Sequence, residues 1–303
     1  MKKFLLKVLL FLALVVLMDF AWGGVFSWLR SHAKGGSTAN CEYIANRCED
    51  DIIILGSSRA THHYVPQIIE DSLGLSCYNC GEEGNGIVLA YGRFKMLINR
   101  YKPKLIIYEI TPGYDYGTKE PNTKYLGYLR PYYGKNGIKP IFADFDDKFS
   151  FLKMQSKMYQ NTGKLLPDLV DNMVFRDNKR GYSPLQGKIN VNSNKLSVEE
   201  SNNDIDSLKL SYVEKLIVDA QTNNIPIVFI ISPRYGGDND ASSYYPEIEL
   251  CEKYGIAYYN FRNYLPIAAN ADYFQDGGHM NNEGAIVYTQ MVIKEVLNNN
   301  NYR

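Results

Sequence analysis

The sequence has no excess of charge of either sign, and it has few histidines. Its 303 residues include 33 basic and 33 acidic side chains, so the formal net charge is zero. Proteins that bind nucleic acid usually show a basic excess or a basic stripe, and the absence of both argues against a nucleic-acid partner. With 45% hydrophobic and 22% charged residues, the chain is too apolar to be intrinsically disordered. Histidine-based chemistry has only four candidates, which are His32, His62, His63 and His279.

The five cysteines give little indication of metal or redox chemistry. Cys77 and Cys80 have the C-x-x-C spacing found in redox and metal sites. They lie in a strand-like stretch, where alternation points the two sulfurs to opposite faces, and no second pair or nearby histidine completes a zinc site. We therefore predict no metal and interpret the cysteines as small buried hydrophobic residues. A Cys41–Cys48 disulfide stays open as an alternative, as does a redox role for Cys77 and Cys80.

An apolar segment near the N-terminus, residues 8–26, predicts a membrane anchor within residues 1–29. The segment has roughly the ~20 residues that a spanning helix needs. Asp19 would cost about 2.5–3.5 kcal/mol near mid-membrane, and a dozen Leu, Val and Phe residues at about 0.3–0.6 kcal/mol each outweigh it. Because no A-x-A-like site follows, we favour an uncleaved signal anchor over a cleaved signal peptide. The preceding lysines favour a cytoplasmic N-terminus, which predicts a single-pass inner-membrane protein facing the periplasm or exterior.

After a polar stretch at residues 30–50, which we predict to be a linker, strands and helices alternate. Short apolar, β-branched runs predict five strands, at residues 52–55, 75–79, 104–110, 225–231 and 256–260. Helical spacing predicts a helix up to residue 73 and further helices at residues 86–100, 245–254 and 281–297. This alternation is typical of a parallel sheet covered on both faces. Residues 51–303 are therefore predicted to form one three-layer α/β/α, flavodoxin-like domain.

Residues 112–205 lack this rhythm and are predicted to be an insertion, with a helical stretch at about residues 149–173. The insertion is rich in tyrosine, with Tyr114, Tyr116, Tyr125, Tyr128, Tyr132, Tyr133, Tyr159 and Tyr182. Because it leaves the sheet directly after the third strand, we expect a lid or one wall of a cleft, in which tyrosine rings would suit sugars. Packing in a small separate core is the alternative for any single tyrosine.

Small and polar residues gather where the predicted strands end, which is the edge at which parallel sheets bind ligands. These segments are G-S-S-R at residues 56–59, N-C-G-E-E-G-N-G at 79–86, T-P-G-Y-D at 111–115 and D-G-G-H at 276–279. Ser58 is a candidate nucleophile, His279 its base, and Asp276 the group that orients the histidine. The backbone N–H groups of Ser58 and Gly84 and the side chain of Asn85 are candidate donors to an oxyanion.

Other polar residues at this edge have weaker indications. His62 and His63 are rival bases, which we interpret as rim or packing residues because a neighbour on the same helix points along its surface. Arg59, Thr111 and Asp115 are candidate substrate-binding residues. A structural role is the alternative for Arg59, and a solvated loop is the alternative for Asp115.

The order and spacing of these segments resemble the SGNH (GDSL-like) hydrolase family. Residues 56–58 match the family's G-D-S block and place Ser58 at the nucleophile, residues 79–84 match N-x-G-x-x-G and place the oxyanion glycine at Gly84, and residues 276–279 match D-x-x-H. The third block, G-x-N-D, is not matched, because residues 111–115 lack its asparagine, which supplies an oxyanion donor. The resemblance covers roughly residues 51–110 and 205–298.

The resemblance implies a serine-dependent esterase or O-acyltransferase that works through an acyl-enzyme on Ser58 and needs no cofactor. Serine at position 57 instead of aspartate, together with the missing asparagine, resembles the membrane-anchored envelope branches of the family. This implies acyl esters, above all acetyl esters, of a cell-envelope glycan as substrate and a membrane acyltransferase as a partner. Loss of an oxyanion donor costs ~10²–10³ in rate, and Thr111 or Asn85 are candidates to replace it. The alternative is a catalytically impaired envelope protein that binds glycan or an acyltransferase.

Overall fold

The structure is a computed structural model that describes residues 1–118, 122–146, 148–163, 165–173, 179–191, 204–237 and 242–298. The chain divides into two compact units. Unit 1 comprises Met1–Arg47 and Asn122–Asp177, and unit 2 comprises Cys48–Pro121 and Asn178–Arg303. The predicted insertion, residues 112–205, therefore contributes to both units. All the candidate site residues belong to unit 2.

Five parallel strands in unit 2 confirm the predicted sheet. Their bounds are β1 Ile52–Gly56, β2 Cys77–Asn79, β3 Leu105–Glu109, β4 Ile227–Ile231 and β5 Tyr258–Asn260. The strand order is β2-β1-β3-β4-β5, which is the flavodoxin-like order. Ile54 of β1 stands beside Asn79 of β2 and Ile107 of β3, so the carboxyl ends of these strands meet at one edge.

The helices of the described residues lie between and beyond these strands. The α-helices are α1 Lys2–Ser31, α2 Gly36–Asn46, α3 Ser58–His63, α4 Pro66–Leu73, α5 Ile87–Ile98, α6 Pro112–Asp115, α7 Ile138–Phe145, α8 Ser150–Lys153, α9 Lys157–Asn161, α10 Leu165–Met173, α11 Ser207–Thr222, α12 Tyr245–Tyr254, α13 Leu265–Ala268 and α14 Asn282–Val292. Short 3-10 turns lie at Asn122–Tyr128, Arg130–Tyr132, Lys179–Gly181, Ser242–Tyr244 and Ala271–Tyr273, and a π-helical turn, Ile293–Leu297, follows α14.

Helices α5, α12 and α14 form where the sequence predicts them, and two other segments differ from the prediction. The helical stretch up to residue 73 is two helices, because Pro66 lacks an N–H and begins α4 anew. The segment predicted to be a linker, residues 30–50, contains α2. That helix buries Thr38, Cys41, Ile44 and Ala45 at helical spacing, and this apolar face outweighs the polar residues between them.

Helices cover both faces of the sheet. On one face, Ile54 and Ile107 pack in one buried cluster with Tyr288 of α14. On the other face, the tilted rings of Tyr108 and Phe229 pack with their centroids 5.0 Å apart, and α5 packs against α11. Because both faces are buried, the central strands are continuous apolar runs. The predicted three-layer architecture is confirmed.

Several tyrosines of the predicted insertion are interior residues. Tyr125 and Tyr132 in unit 1 and Tyr116 and Tyr182 in unit 2 are buried. Buried tyrosine hydroxyls need partners, and the Tyr132 hydroxyl donates to Glu42 at 2.7 Å. For these four residues the structure favours packing over a sugar-binding wall.

All five cysteines are buried and free, so Cys41 and Cys48 are not joined by a disulfide in this structure.

Helix α1 has 30 residues and is long and apolar enough to cross a membrane, by length and composition.

Gly56 allows β1 to end close against β3, and its replacement tests this contact. Its φ is 141°, and an added Cβ would lie 2.7 Å from the Glu109 carbonyl oxygen. We expect Gly56→Ala to cost about 1–3 kcal/mol through backbone strain and to lower the Tm of the detergent-solubilised full chain, measured by circular dichroism. Gly113→Ala is the control, because a Cβ at Gly113 meets nothing within 4 Å. Equal Tm values for the two variants would contradict the assignment.

Candidate active site

The structure brings Ser58, His279 and Asp276 into one hydrogen-bonded row. The Ser58 Oγ lies 2.8 Å from His279 Nε2, and His279 Nδ1 lies 3.0 Å from each carboxylate oxygen of Asp276. Because an ionised carboxylate only accepts hydrogen bonds, Nδ1 carries the proton and Nε2 is the acceptor for the serine hydroxyl. This is the arrangement in which a histidine base activates a serine.

The D-x-x-H spacing brings Asp276 to His279 because the aspartate side chain is held by the backbone of its own turn. Asp276 Oδ1 accepts the backbone N–H groups of Gly278 and His279, both at 2.8 Å, as aspartates do in tight turns. Burial by itself raises the pKa of Asp276, but the hydrogen bonds and charge of His279 and these two N–H groups together hold the pKa below its usual value. The carboxylate therefore stays ionised beside His279.

Ser58 is the first residue of α3, directly after the turn that ends β1. Its backbone N–H therefore has no acceptor within the helix and lies at the positive end of the helix dipole. Gly84 adopts a φ of 64°, a conformation that glycine takes without strain. These are the two backbone groups that the sequence indicates as oxyanion donors.

A buried arginine, Arg93, holds the loop that carries Gly84. Its Nη1 donates to the carbonyl oxygens of Cys80 at 2.7 Å and Gly81 at 3.1 Å, and its Nη2 pairs with Glu82 at 2.5 Å. Sequence reasoning missed this buried side chain, because α5 also carries Lys95 and a single arginine in a helix is not by itself a sign of burial. Such a side chain needs buried acceptors, and this loop supplies them.

The asparagines of this loop serve its own structure. The Asn79 side chain donates to the Ala60 carbonyl oxygen at 2.6 Å and accepts from the Gly81 N–H at 3.0 Å. The Asn85 Nδ2 donates to the Glu83 carbonyl oxygen at 2.8 Å, and its Oδ1 is buried without a hydrogen-bond partner among the described residues. One Asn85 N–H is thus engaged by the loop, and its role as an oxyanion donor stays a prediction.

The three candidate substrate-binding residues are interior. Asp115 is fully buried and accepts from the Tyr108 hydroxyl and the Thr111 N–H, both at 2.6 Å, so it lies neither in an open pocket nor in a solvated loop. The Thr111 Oγ1 is buried and without a hydrogen-bond partner among the described residues. Arg59 is also buried, and its Nη2 donates to the Ile110 carbonyl oxygen. The structure therefore favours the structural alternative for Arg59.

His63 links the turn that carries His279 to the interior of the sheet. Its Nε2 accepts the backbone N–H of Met280 at 3.0 Å, and its Nδ1 lies 2.8 Å from the Ser232 Oγ. Ser232 in turn donates to Glu109 Oε1 at 2.6 Å. Burial, followed by the charges of His279, Arg59 and His62, holds the pKa of His63 well below its usual value. His63 is therefore a neutral ring that positions the residue after His279.

His62 also has partners other than Ser58. Its Nδ1 lies 2.6 Å from the Ser183 carbonyl oxygen, and its Nε2 lies 2.7 Å from Glu83 Oε1. Both partners offer acceptor oxygens, and the hydrogen bond from His62 lowers the pKa of Glu83. The His62 and His279 rings meet edge to face at 5.8 Å. The placement of His62 and His63 agrees with their interpretation as rim and packing residues.

Two buried carboxyl groups face each other beside Arg59. Glu247 is fully buried, and its carboxyl group shares a hydrogen bond with that of Asp115. Burial and the facing Asp115 raise the pKa of Glu247 well above its usual value, and burial raises the pKa of Asp115 to about 6. The pair therefore holds a proton at pH values where isolated carboxyl groups have lost theirs.

Within the described ranges, no cluster of three or more His, Cys, Asp or Glu residues is placed to hold a metal ion.

Comparisons with known proteins give distant structural similarity. No family model and no curated protein matches the chain. A Bacteroides fragilis protein named as an acylhydrolase is 12% identical over 88% of this chain and 95% of its own, with a TM-score of 0.41. A Bacteroides thetaiotaomicron protein named as a GDSL-like lipase is 10% identical over 82% and 87%, with a TM-score of 0.37. A Streptococcus pneumonia protein named as a platelet activating factor is 11% identical over 95% and 97%, with a TM-score of 0.40. The assignment of the site rests on the sheet order and the triad distances.

The buried Glu247 predicts a specific pH dependence of stability. The pKa of Glu247 is raised in the folded chain, so above pH ~4.5 the folded chain holds more protons than the unfolded chain. The free energy of unfolding therefore falls as the pH rises from ~4.5 towards the folded-state pKa. We expect Glu247→Gln to remove this loss, so that its Tm advantage over the natural chain grows from pH 5 to pH 8. Glu249→Gln, at an exposed position of the same helix, is the control. A Tm difference that does not change with pH would contradict the prediction.

Proposed function

We propose that the protein is a serine-dependent esterase or O-acyltransferase, with Ser58 as the nucleophile. The observation that carries the proposal is the row in which the Ser58 Oγ lies 2.8 Å from His279 Nε2 and His279 Nδ1 lies 3.0 Å from Asp276. The Ser58–His279 pair is formed by residues 221 positions apart. It stands at the edge of the sheet where such folds bind ligands.

In the proposed reaction, His279 Nε2 takes the hydroxyl proton as the Ser58 Oγ attacks the ester carbonyl carbon. The resulting imidazolium is stabilised by the Asp276 carboxylate. The oxyanion is held by the N–H groups of Ser58 and Gly84. As the intermediate collapses, His279 gives its proton to the leaving alcohol, and the acyl group stays on Ser58. Water or a sugar hydroxyl then attacks the acyl-enzyme, with His279 again as the base, and releases the product.

We further propose that the substrate is an acyl ester, above all an acetyl ester, of a cell-envelope glycan, and that α1 anchors the chain in the inner membrane with unit 2 in the periplasm or exterior. The support is the length and apolar composition of α1, the lysines before it, and the two departures from the family's motifs at position 57 and residues 111–115. The partner of such an anchored enzyme would be a membrane acyltransferase. The acyltransferase would either hand an acyl group to the enzyme or receive one from it.

Covalent labelling tests the nucleophile directly. We expect a fluorophosphonate to label Ser58 of the full chain in detergent, because the reagent reacts with activated serines. Ser58→Ala should abolish both the labelling and the release of p-nitrophenol from its acetate ester, and Asp276→Asn should slow both by about 10⁴-fold.

Ser57→Ala is the matched control. The neighbouring Ser57 is buried, so this substitution should leave the labelling intact. Equal ester turnover by Ser58→Ala and the natural chain would overturn the proposal. A natural chain that is not labelled but binds envelope glycan would favour the non-catalytic alternative.

His63 predicts a positioning effect on the same reaction. His63→Leu leaves the Met280 N–H without its acceptor, and we expect fluorophosphonate labelling of Ser58 to slow by about 10–100-fold, because small misplacements of catalytic groups have large effects on rate. His63→Gln retains an acceptor and a donor and should recover part of the rate. Equal rates for the two variants, after both are shown by Tm to be folded, would contradict this role.

A further inference from the structure

Helices α8 and α9 of unit 1 expose large apolar side chains. Phe149, Phe151 and Leu152 are each more than half exposed, and Met158 is 43% exposed. We define residues 149–158 as the apolar shoulder. Several large apolar side chains exposed within ten residues are a feature of interaction surfaces on folded proteins.

The apolar shoulder is fixed to α1 at Asp19. The Asp19 carboxylate accepts the backbone N–H groups of Lys157 at 2.7 Å and Met158 at 3.2 Å, and also the Ser156 hydroxyl. One turn later, Gly23 brings the two helices close, since an added Cβ would lie 2.5 Å from the Lys157 Cβ. A residue of the apolar helix α1 thus caps the first turn of α9.

This pairing makes both helices suitable for a non-aqueous environment. In hydrocarbon, an unpaired carboxylate and unpaired backbone N–H groups are each costly, because no water is present to satisfy them. Asp19 and the first turn of α9 satisfy each other, so the charge that interrupts the apolar segment of α1 also compensates the polar end of α9.

The length of α1 places the point of contact within the membrane. Residues 1–18 are exposed, and the first less exposed residue of α1 is Asp19. At a rise of 1.5 Å per residue, Asp19 lies about 17 Å along the helix axis from Val8, or about 22 Å from Phe4. The hydrocarbon core is ~30 Å thick, so with either start Asp19 is past the midplane and short of the far boundary.

We infer that the apolar shoulder inserts among the lipid acyl chains of the leaflet distal to the N-terminus, beside α1. The inference rests on the membrane anchor given under the proposed function. Phe149, Phe151 and Leu152 supply the apolar contact, while Lys148 and Lys153 beside them can extend their ammonium groups to the headgroups. Unit 1 is therefore held in the membrane by α1 and by the apolar shoulder together.

Fluorescence quenching in lipid tests the inference on the full chain. Single cysteines are introduced as Phe151→Cys in the apolar shoulder, Leu10→Cys in α1 and Ala257→Cys at an exposed position of unit 2. Each variant is labelled with an environment-sensitive fluorophore, in nanodiscs of phosphatidylcholine. The natural cysteines are all buried, and the natural chain measures background labelling. Quenching is then compared between doxyl-labelled lipid and aqueous iodide.

We expect positions 151 and 10 to be quenched several-fold more by doxyl lipid than by iodide, and position 257 to show the reverse. Iodide quenching at 151 with lipid quenching at 10 overturns the apolar shoulder as a lipid contact and leaves the anchor intact. Protection of 151 from both quenchers shows that protein covers it and also overturns the inference. Failure of lipid quenching at 10 overturns the anchor and the inference with it, whereas labelling of Ser58 reports the proposed reaction independently.

Discussion

The organisation of the site depends on one buried carboxylate, Glu109 at the end of β3. Its oxygens accept from the Ser232 N–H and hydroxyl and from the Tyr64 hydroxyl, and the Arg59 Nε lies 3.6 Å away. One residue therefore joins the ends of β3 and β4 to α3, the helix that begins with Ser58. Through Ser232 and His63 the same carboxylate reaches the backbone beside His279. Burial raises the pKa of Glu109, while the Arg59 charge and the hydrogen bonds from Ser232 and Tyr64 act in the opposite direction. These partners fix the elements that carry Ser58 and His279.

The sheet and the triad could be predicted from the sequence because their signals are local or ordered along the chain. The runs at Ile52–Gly56 and Leu105–Glu109 are apolar on both faces, which indicates buried parallel strands. Parallel topology then brings their carboxyl ends to one edge, where Ser58 and the D-x-x-H turn meet. The helix α11 was missed although Asp206 caps its first turn. Its buried face includes Lys209, and a charged residue at that position obscures the helical apolar pattern.

The residues that organise the site could not be read from spacing. Arg93, Glu109 and His63 act through partners that are distant in sequence, and a single buried polar residue carries no periodic signal. The interior placement of Arg59 and Asp115 is likewise a consequence of tertiary packing, since both stand in segments whose polar composition is typical of loops. Sequence patterns therefore indicate which residues can react, whereas the fold determines which polar residues hold them in place.

The contact between Asp19 and the start of α9 has a consequence for how the chain is made. The Ser156 partner of Asp19 lies 137 residues later in the sequence. Under the membrane topology proposed above, α1 enters the bilayer before its partner has been made, and the Asp19 carboxylate gains that partner only once the chain through Met158 has been translocated. Unit 1 is thus completed only after the first segment of unit 2, Cys48–Pro121, has been made. Removal of α1 would leave the first turn of α9 without the Asp19 carboxylate, so the apolar N-terminal helix is also part of the tertiary structure of unit 1.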